Sequence, residues 1–98
     1  MKIKINNHIW EIIFFERTTE RYDGVTNESN LTIEINKNIS RQAIRHSLIH
    51  ELVHAYLASF GFDYYVLKKM DIEQVCEFVA HNCDSIVSMA DKILGDKK

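Results

Sequence analysis

The N-terminal third of the chain alternates. Lys2-Ile3-Lys4-Ile5 sets charged and aliphatic side chains on opposite sides with a period of two, the pattern of a half-buried strand. Asn6-Asn7 is a turn candidate, and His8 to Phe15 is rich in Ile, Trp and Phe, so the first residues predict a β-hairpin. Arg17 to Tyr22 reads at most as a short strand. Asp23-Gly24 signals a turn or bulge, and Asn27 to Asn30 a polar loop. Leu31-Thr32-Ile33-Glu34-Ile35 alternates again, which predicts a strand with Leu31, Ile33 and Ile35 facing the core.

After Asn36 the period lengthens. Ser40 is a good N-cap, and Arg41 to Phe60 predicts a helix closed by Gly61 at its C′ position. With His50 placed at zero on a helical wheel, Leu48, Ile49, Leu52 and Tyr56 fall between about 160° and 260°. Val53 and Leu57 extend that apolar face, so the helix is expected to be central. A second long helix is expected from Asp71 to about Leu94. Asp71 and Gln74 form a capping box at its start, and Gly95 follows its end. Ile72, Val75, Cys76, Val79, Ile86 and Ile93 give it a core face. Strands first and helices after predict an α+β fold: a small N-terminal antiparallel or mixed sheet packed on two helices.

Length and composition narrow the picture. At 98 residues, one domain covering 1–98 is expected. A hydrophobic fraction of 46% suffices for a core. Twelve basic against fourteen acidic residues leave a net charge of -2, which gives no positive field for phosphates and argues against nucleic acid. No apolar run approaches the roughly 20 residues that span a bilayer. The alternating N-terminus is not a signal peptide, so a cytoplasmic protein is expected. Cys76 and Cys83 lie about 10.5 Å apart along a helix axis. That is too far for a disulfide, and two buried apolar thiols are expected.

The chemistry is concentrated in His50-Glu51-Leu52-Val53-His54, an HExxH motif inside the best helix of the sequence. Residues four apart stand one helical turn above each other, so two imidazoles can converge on one ion. The Glu between them is rotated by about 100° from the first His and can reach a metal-activated water without being a ligand. Zinc brings the pKa of such a water toward 7, and the carboxylate can take its proton. Ser47 and Ala58 are small and lie on the same side, leaving space for an ion and a substrate. A catalytic zinc needs a third protein ligand; Glu73, Glu77, His81 and Asp84 are the downstream candidates. His8 and His46 are read as bystanders.

These residues resemble those of the gluzincins, HExxH metallopeptidases whose third ligand is a Glu on a later helix. Glu73 follows His54 by 19 positions, and Glu77 stands where the gluzincin pattern Glu-x-x-x-Asp has its Asp. The chain is most similar to the ImmA/IrrE family of small metallopeptidases, common on phages and mobile elements. The matching segments are Thr32-Ile33-Glu34-Ile35-Asn36 before the active-site helix, the HExxH itself, and Glu73-Gln74-Val75-Cys76-Glu77-Phe78-Val79-Ala80. The likeness covers roughly residues 24 to 80. It departs from the family pattern at Val53, where Gly is frequent, at Cys76, where Ala is, and at Glu77, where Asn or Asp is. With no appended domain, the chain resembles the bare catalytic core of the minigluzincins.

The resemblance implies a zinc-dependent peptidase acting on a peptide or protein. His50, His54 and Glu73 would hold the zinc, Glu77 would support a ligating His, and Glu51 would be the general base. Gluzincins often carry an oxyanion-stabilising Tyr between their two ligand-bearing helices; Tyr65 is the expected residue here, with Tyr64 and His81 as alternatives. An extended substrate would pair with an edge strand, either Leu31–Ile35 or the segment near Val25. Two rivals remain. One is a non-enzymatic regulatory or binding protein that keeps the fold. The other is a metal-stabilised structural domain, with His81 or Asp84 as a fourth ligand.

Overall fold

Alternation and period predict strands and then helices, and the computed structural model, which describes residues 1–16, 22–62 and 64–96, has that order. The short strand considered at Arg17–Tyr22 lies, except for Tyr22, outside the described residues. β1 (Lys2–Ile5) and β2 (His8–Phe15) form the expected hairpin. Asn6 and Asn7 turn it at φ of 45° and 69°. Two consecutive positive φ values match the twist of the flanking strands, and Asn tolerates them better than most residues. β3 (Gly24–Asn27) and β4 (Thr32–Asn36) follow.

The strand order is β1-β2-β4-β3. β4 runs parallel to β2, with Ile12 opposite Ile33 and Phe14 opposite Ile35, and the other two pairings are antiparallel, so the sheet is mixed. Trp10, Ile12, Ile33 and Ile35 are buried on the core face. Leu31 sits just before β4 at a φ of 55° and is only partly buried, because the turn rather than the strand sets its direction. β4 is paired on both sides. Among the described residues the sheet ends beside it at β3, so of the two candidate edge segments the one holding Val25, and not Leu31–Ile35, lies at an edge.

α1 (Arg41–Ser59) lies across the core face. Ser40 Oγ accepts from the Ala43 N–H at 3.1 Å, and Gly61 closes the other end at a φ of 85°. The hairpin pins that end: Trp10 Nε1 donates to Ser59 Oγ at 2.8 Å and Asn6 Nδ2 to the Ser59 carbonyl at 2.9 Å. Leu48, Leu52, Ala55 and Tyr56 are buried, and so are Ser47, Glu51 and Ser59. The buried arc is therefore rotated toward Glu51 and away from Val53, which is exposed. The cause is β3, which packs on the Glu51 side of the helix.

A short helix absent from the sequence reading, α2 (Tyr64–Lys69), joins α1 to α3 (Ile72–Asp96). The capping box is formed: the Gln74 N–H donates to Asp71 Oδ1 at 2.8 Å, and the Asp71 N–H to Gln74 Oε1 at 3.0 Å. α3 continues through Gly95 instead of stopping at it. Its expected core face is corrected over the first half. Ile86, Ala90 and Ile93 are buried, but Ile72, Val75, Cys76 and Val79 are exposed, and both cysteines are free surface thiols. A helix of this length spans about 37 Å, which matches the 38 Å long axis of the molecule, whose other extents are 25 and 24 Å. The buried residues of α3 lie in its C-terminal half, and α1 is its main partner. In the first half, Phe78 makes an edge-on contact with Phe62 at 5.4 Å. No described helix is long and apolar enough to cross a membrane.

Candidate metal centre

α1 carries His50, Glu51 and His54 on adjacent parts of its surface. Their ligand atoms all lie within 4.8 Å of one another, the one such group among the described residues. The two imidazoles stack edge to face at 5.2 Å, as helical neighbours four apart should. They face outward: the His50 side chain is 60% exposed, while that of Glu51 is 10% exposed. The rotation of one residue along the helix thus separates two accessible nitrogens from a nearly buried carboxylate.

The edge strand holds that carboxylate. Thr26 Oγ1 is 2.9 Å from Glu51 Oε1 and 3.1 Å from the Glu51 carbonyl oxygen. A hydroxyl has one proton, so the two acceptors share it. The other carboxylate oxygen, Oε2, points back to His50, 3.9 Å from Nε2. Gly24 makes this closeness possible. A Cβ there would lie 3.0 Å from Ile35 Cδ1, 3.1 Å from Glu51 Cγ and 3.3 Å from the Glu34 carbonyl oxygen. Sequence reasoning missed Thr26 and took Gly24 only as part of a turn or bulge. The signal was a glycine opening a β-like segment, which often marks close approach of another group to the backbone.

Two imidazoles and a carboxylate with donor atoms within 4.8 Å of one another suit zinc and its neighbours among the divalent transition metals. The group could hold a metal ion, with both imidazoles exposed and the Glu51 side chain buried. Beside His50 is a cavity of about 370 Å³ lined by Gln42, Arg45, His46 and Ile49. A second, of about 280 Å³, lies one turn beyond His54, between Ala58 and the Glu28–Leu31 turn. His46 and His8, read as bystanders, line the first and second cavity respectively.

The other expected site residues are not in this group. Glu73 is exposed in the first turn of α3. Glu77 Oε2 pairs with His81 Nε2 at 3.4 Å on the exposed side of the same helix, and Asp84 Oδ1 accepts from Cys83 Sγ at 3.9 Å. Tyr65 and Tyr64 belong to α2, where the Tyr65 side chain is 74% exposed. Compared with protein-family models, with curated proteins and with solved structures, the chain matches none.

Proposed function

We propose that this protein is a zinc-dependent peptidase, in which His50 and His54 hold the metal, Glu73 is the third ligand and Glu51 is the general base. The observation that carries the reading is the division of roles within one helical turn: two outward imidazoles beside an inward carboxylate. The resemblance of the HExxH and Glu73 segments to the ImmA/IrrE family supports the choice of zinc and of Glu73. When bound, zinc supplies a Lewis acid that acidifies water and polarises a peptide carbonyl. Glu51 takes the proton of the attacking water on Oε2, the oxygen turned toward His50, and delivers it to the leaving amine. β3, the edge strand beside Glu51 among the described residues, is the segment along which an extended peptide would lie. Tyr65 on α2 is the proposed donor to the developing oxyanion.

The test is Glu51→Gln, assayed for bound zinc and for cleavage of a fluorescence-quenched peptide mixture. The expected variant keeps one zinc per chain and loses turnover by about 10³-fold or more, as removal of an essential acid–base group does. Undiminished turnover refutes the mechanism.

A second reading is a metal-binding protein without turnover. It is favoured by one observation, that Glu51 itself completes the three-donor group while Glu73 stands outside it. Loss of zinc from Glu51→Gln would make Glu51 a ligand and support this reading.

A further inference from the structure

We propose that Thr26 is a positioning residue for Glu51, an inference that rests on the peptidase reading above. A general base works only when its accepting oxygen is aimed, since a misplacement of about 1 Å can cost about 100-fold in rate. A glutamate has three side-chain torsions, and a free one samples many arrangements. Glu51 is held by one hydrogen bond within a space that β3 leaves for it. Gly24 leaves room for its Cγ beside the β3 backbone, where a Cβ would come within 3.1 Å of it. Thr26 Oγ1 then engages Oε1 at 2.9 Å. With Oε1 engaged and the side chain packed beside β3, few orientations of the carboxylate remain, and Oε2 faces His50 at 3.9 Å. The oxygen bound by Thr26 is thus not the one that handles the proton.

The arrangement also ties the base to the strand proposed to carry substrate. Thr26 lies in β3 between Val25 and Asn27, and its partner across the ladder is Ile33. A peptide laid along β3 would be in register with the residue that aims the base. The same hydroxyl lies 3.1 Å from the Glu51 carbonyl, so strand, helix backbone and carboxylate meet at one group. Such supporting contacts around metal sites are typically worth 10- to 100-fold in activity.

The experiment compares Thr26→Ser, Thr26→Val and Thr26→Ala in the zinc-loaded protein, measuring zinc content, kcat and KM on the quenched peptide mixture. Val keeps the β-branched shape and removes the hydroxyl; Ser keeps the hydroxyl; Ala is the fallback if Val disturbs the strand. The expected result is kcat lowered about 10- to 100-fold in Val and Ala, KM changed less than about 2-fold, and Ser within about 3-fold of the parent. In a Glu51→Gln background, Thr26→Val should produce no further loss, because both changes act on one group. If Glu51→Gln is inactive while Thr26→Val and Thr26→Ala keep the parental kcat, the positioning role is overturned and the peptidase reading stands. If Ser falls as far as Val, strand packing and not the hydroxyl matters, which also overturns it. A zinc-loaded parent with no turnover overturns the peptidase reading, and this inference with it.

Discussion

Gly24→Ala tests whether the fold and the site share one close contact. The added Cβ would sit 3.0 Å from Ile35 Cδ1, 3.1 Å from Glu51 Cγ and 3.3 Å from the Glu34 carbonyl oxygen. Optimal carbon–carbon separations are about 3.5 to 4.0 Å, so the first two contacts are short by roughly 0.5 Å or more. None of the three neighbours yields easily. Ile35 is fully buried, Glu51 Cγ is held near the helix, and the Glu34 oxygen is main chain between paired strands. Overpacking of this kind costs about 1 to 3 kcal/mol. The lower entropy of the unfolded alanine chain returns about 0.4 to 1 kcal/mol. At the centre of these ranges a net loss of about 1.3 kcal/mol remains, and for a domain of this size that lowers Tm by roughly 5 to 10 °C. Gly95→Ala is the internal control. It lies in α3 with nothing within 4 Å of a built Cβ, so the same substitution should stabilise by about 0.5 kcal/mol through helix propensity. Urea unfolding followed by circular dichroism reads both. An unchanged or raised midpoint for Gly24→Ala would refute the reasoning, because it would show that β3 can move away from α1 without loss.

Two other predictions concern the metal and alkaline stability. His50→Ala and His54→Ala should each abolish stoichiometric zinc, and Glu73→Ala should weaken zinc binding by at least about 10-fold if Glu73 is the third ligand; full occupancy in His50→Ala by elemental analysis would show the site to be wrong. Burial raises the pKa of Tyr56 above its ordinary value of 10.0, so the folded state holds the phenol proton more tightly than the unfolded chain does. The stability this provides is complete below about pH 10 and is lost as pH rises from there through the folded-state value. Tyr56→Phe should therefore lose less stability than the parent between about pH 9 and 11 in urea titrations, and parallel losses in the two proteins would contradict the sign.

The parts of the molecule legible in the sequence were those governed by near neighbours. Alternation over Lys2–Ile5 and Leu31–Ile35, the Asn6-Asn7 turn, the Ser40 cap and the Asp71–Gln74 capping box each depend on residues within a few positions. Each is present in the fold, except that β4 begins at Thr32 and Leu31 belongs to the turn before it. The convergence of His50 and His54 was legible for the same reason, since helical geometry alone brings residues four apart together. Tertiary packing decided the rest. An apolar stripe shows which face of α3 is able to be buried, and not how much of it meets a partner; Ile72, Val75, Cys76 and Val79 are left exposed while Ile86 and Ile93 are buried. Periodicity likewise could not tell that β3 would pack on the Glu51 side of α1, turning Val53 outward and burying a charged side chain. Thr26 and Glu51 are 25 positions apart, and their hydrogen bond exists because the β3 edge, opened by a glycine, lies against α1. Contacts across such a separation depend on strand order and helix placement, which no local pattern encodes.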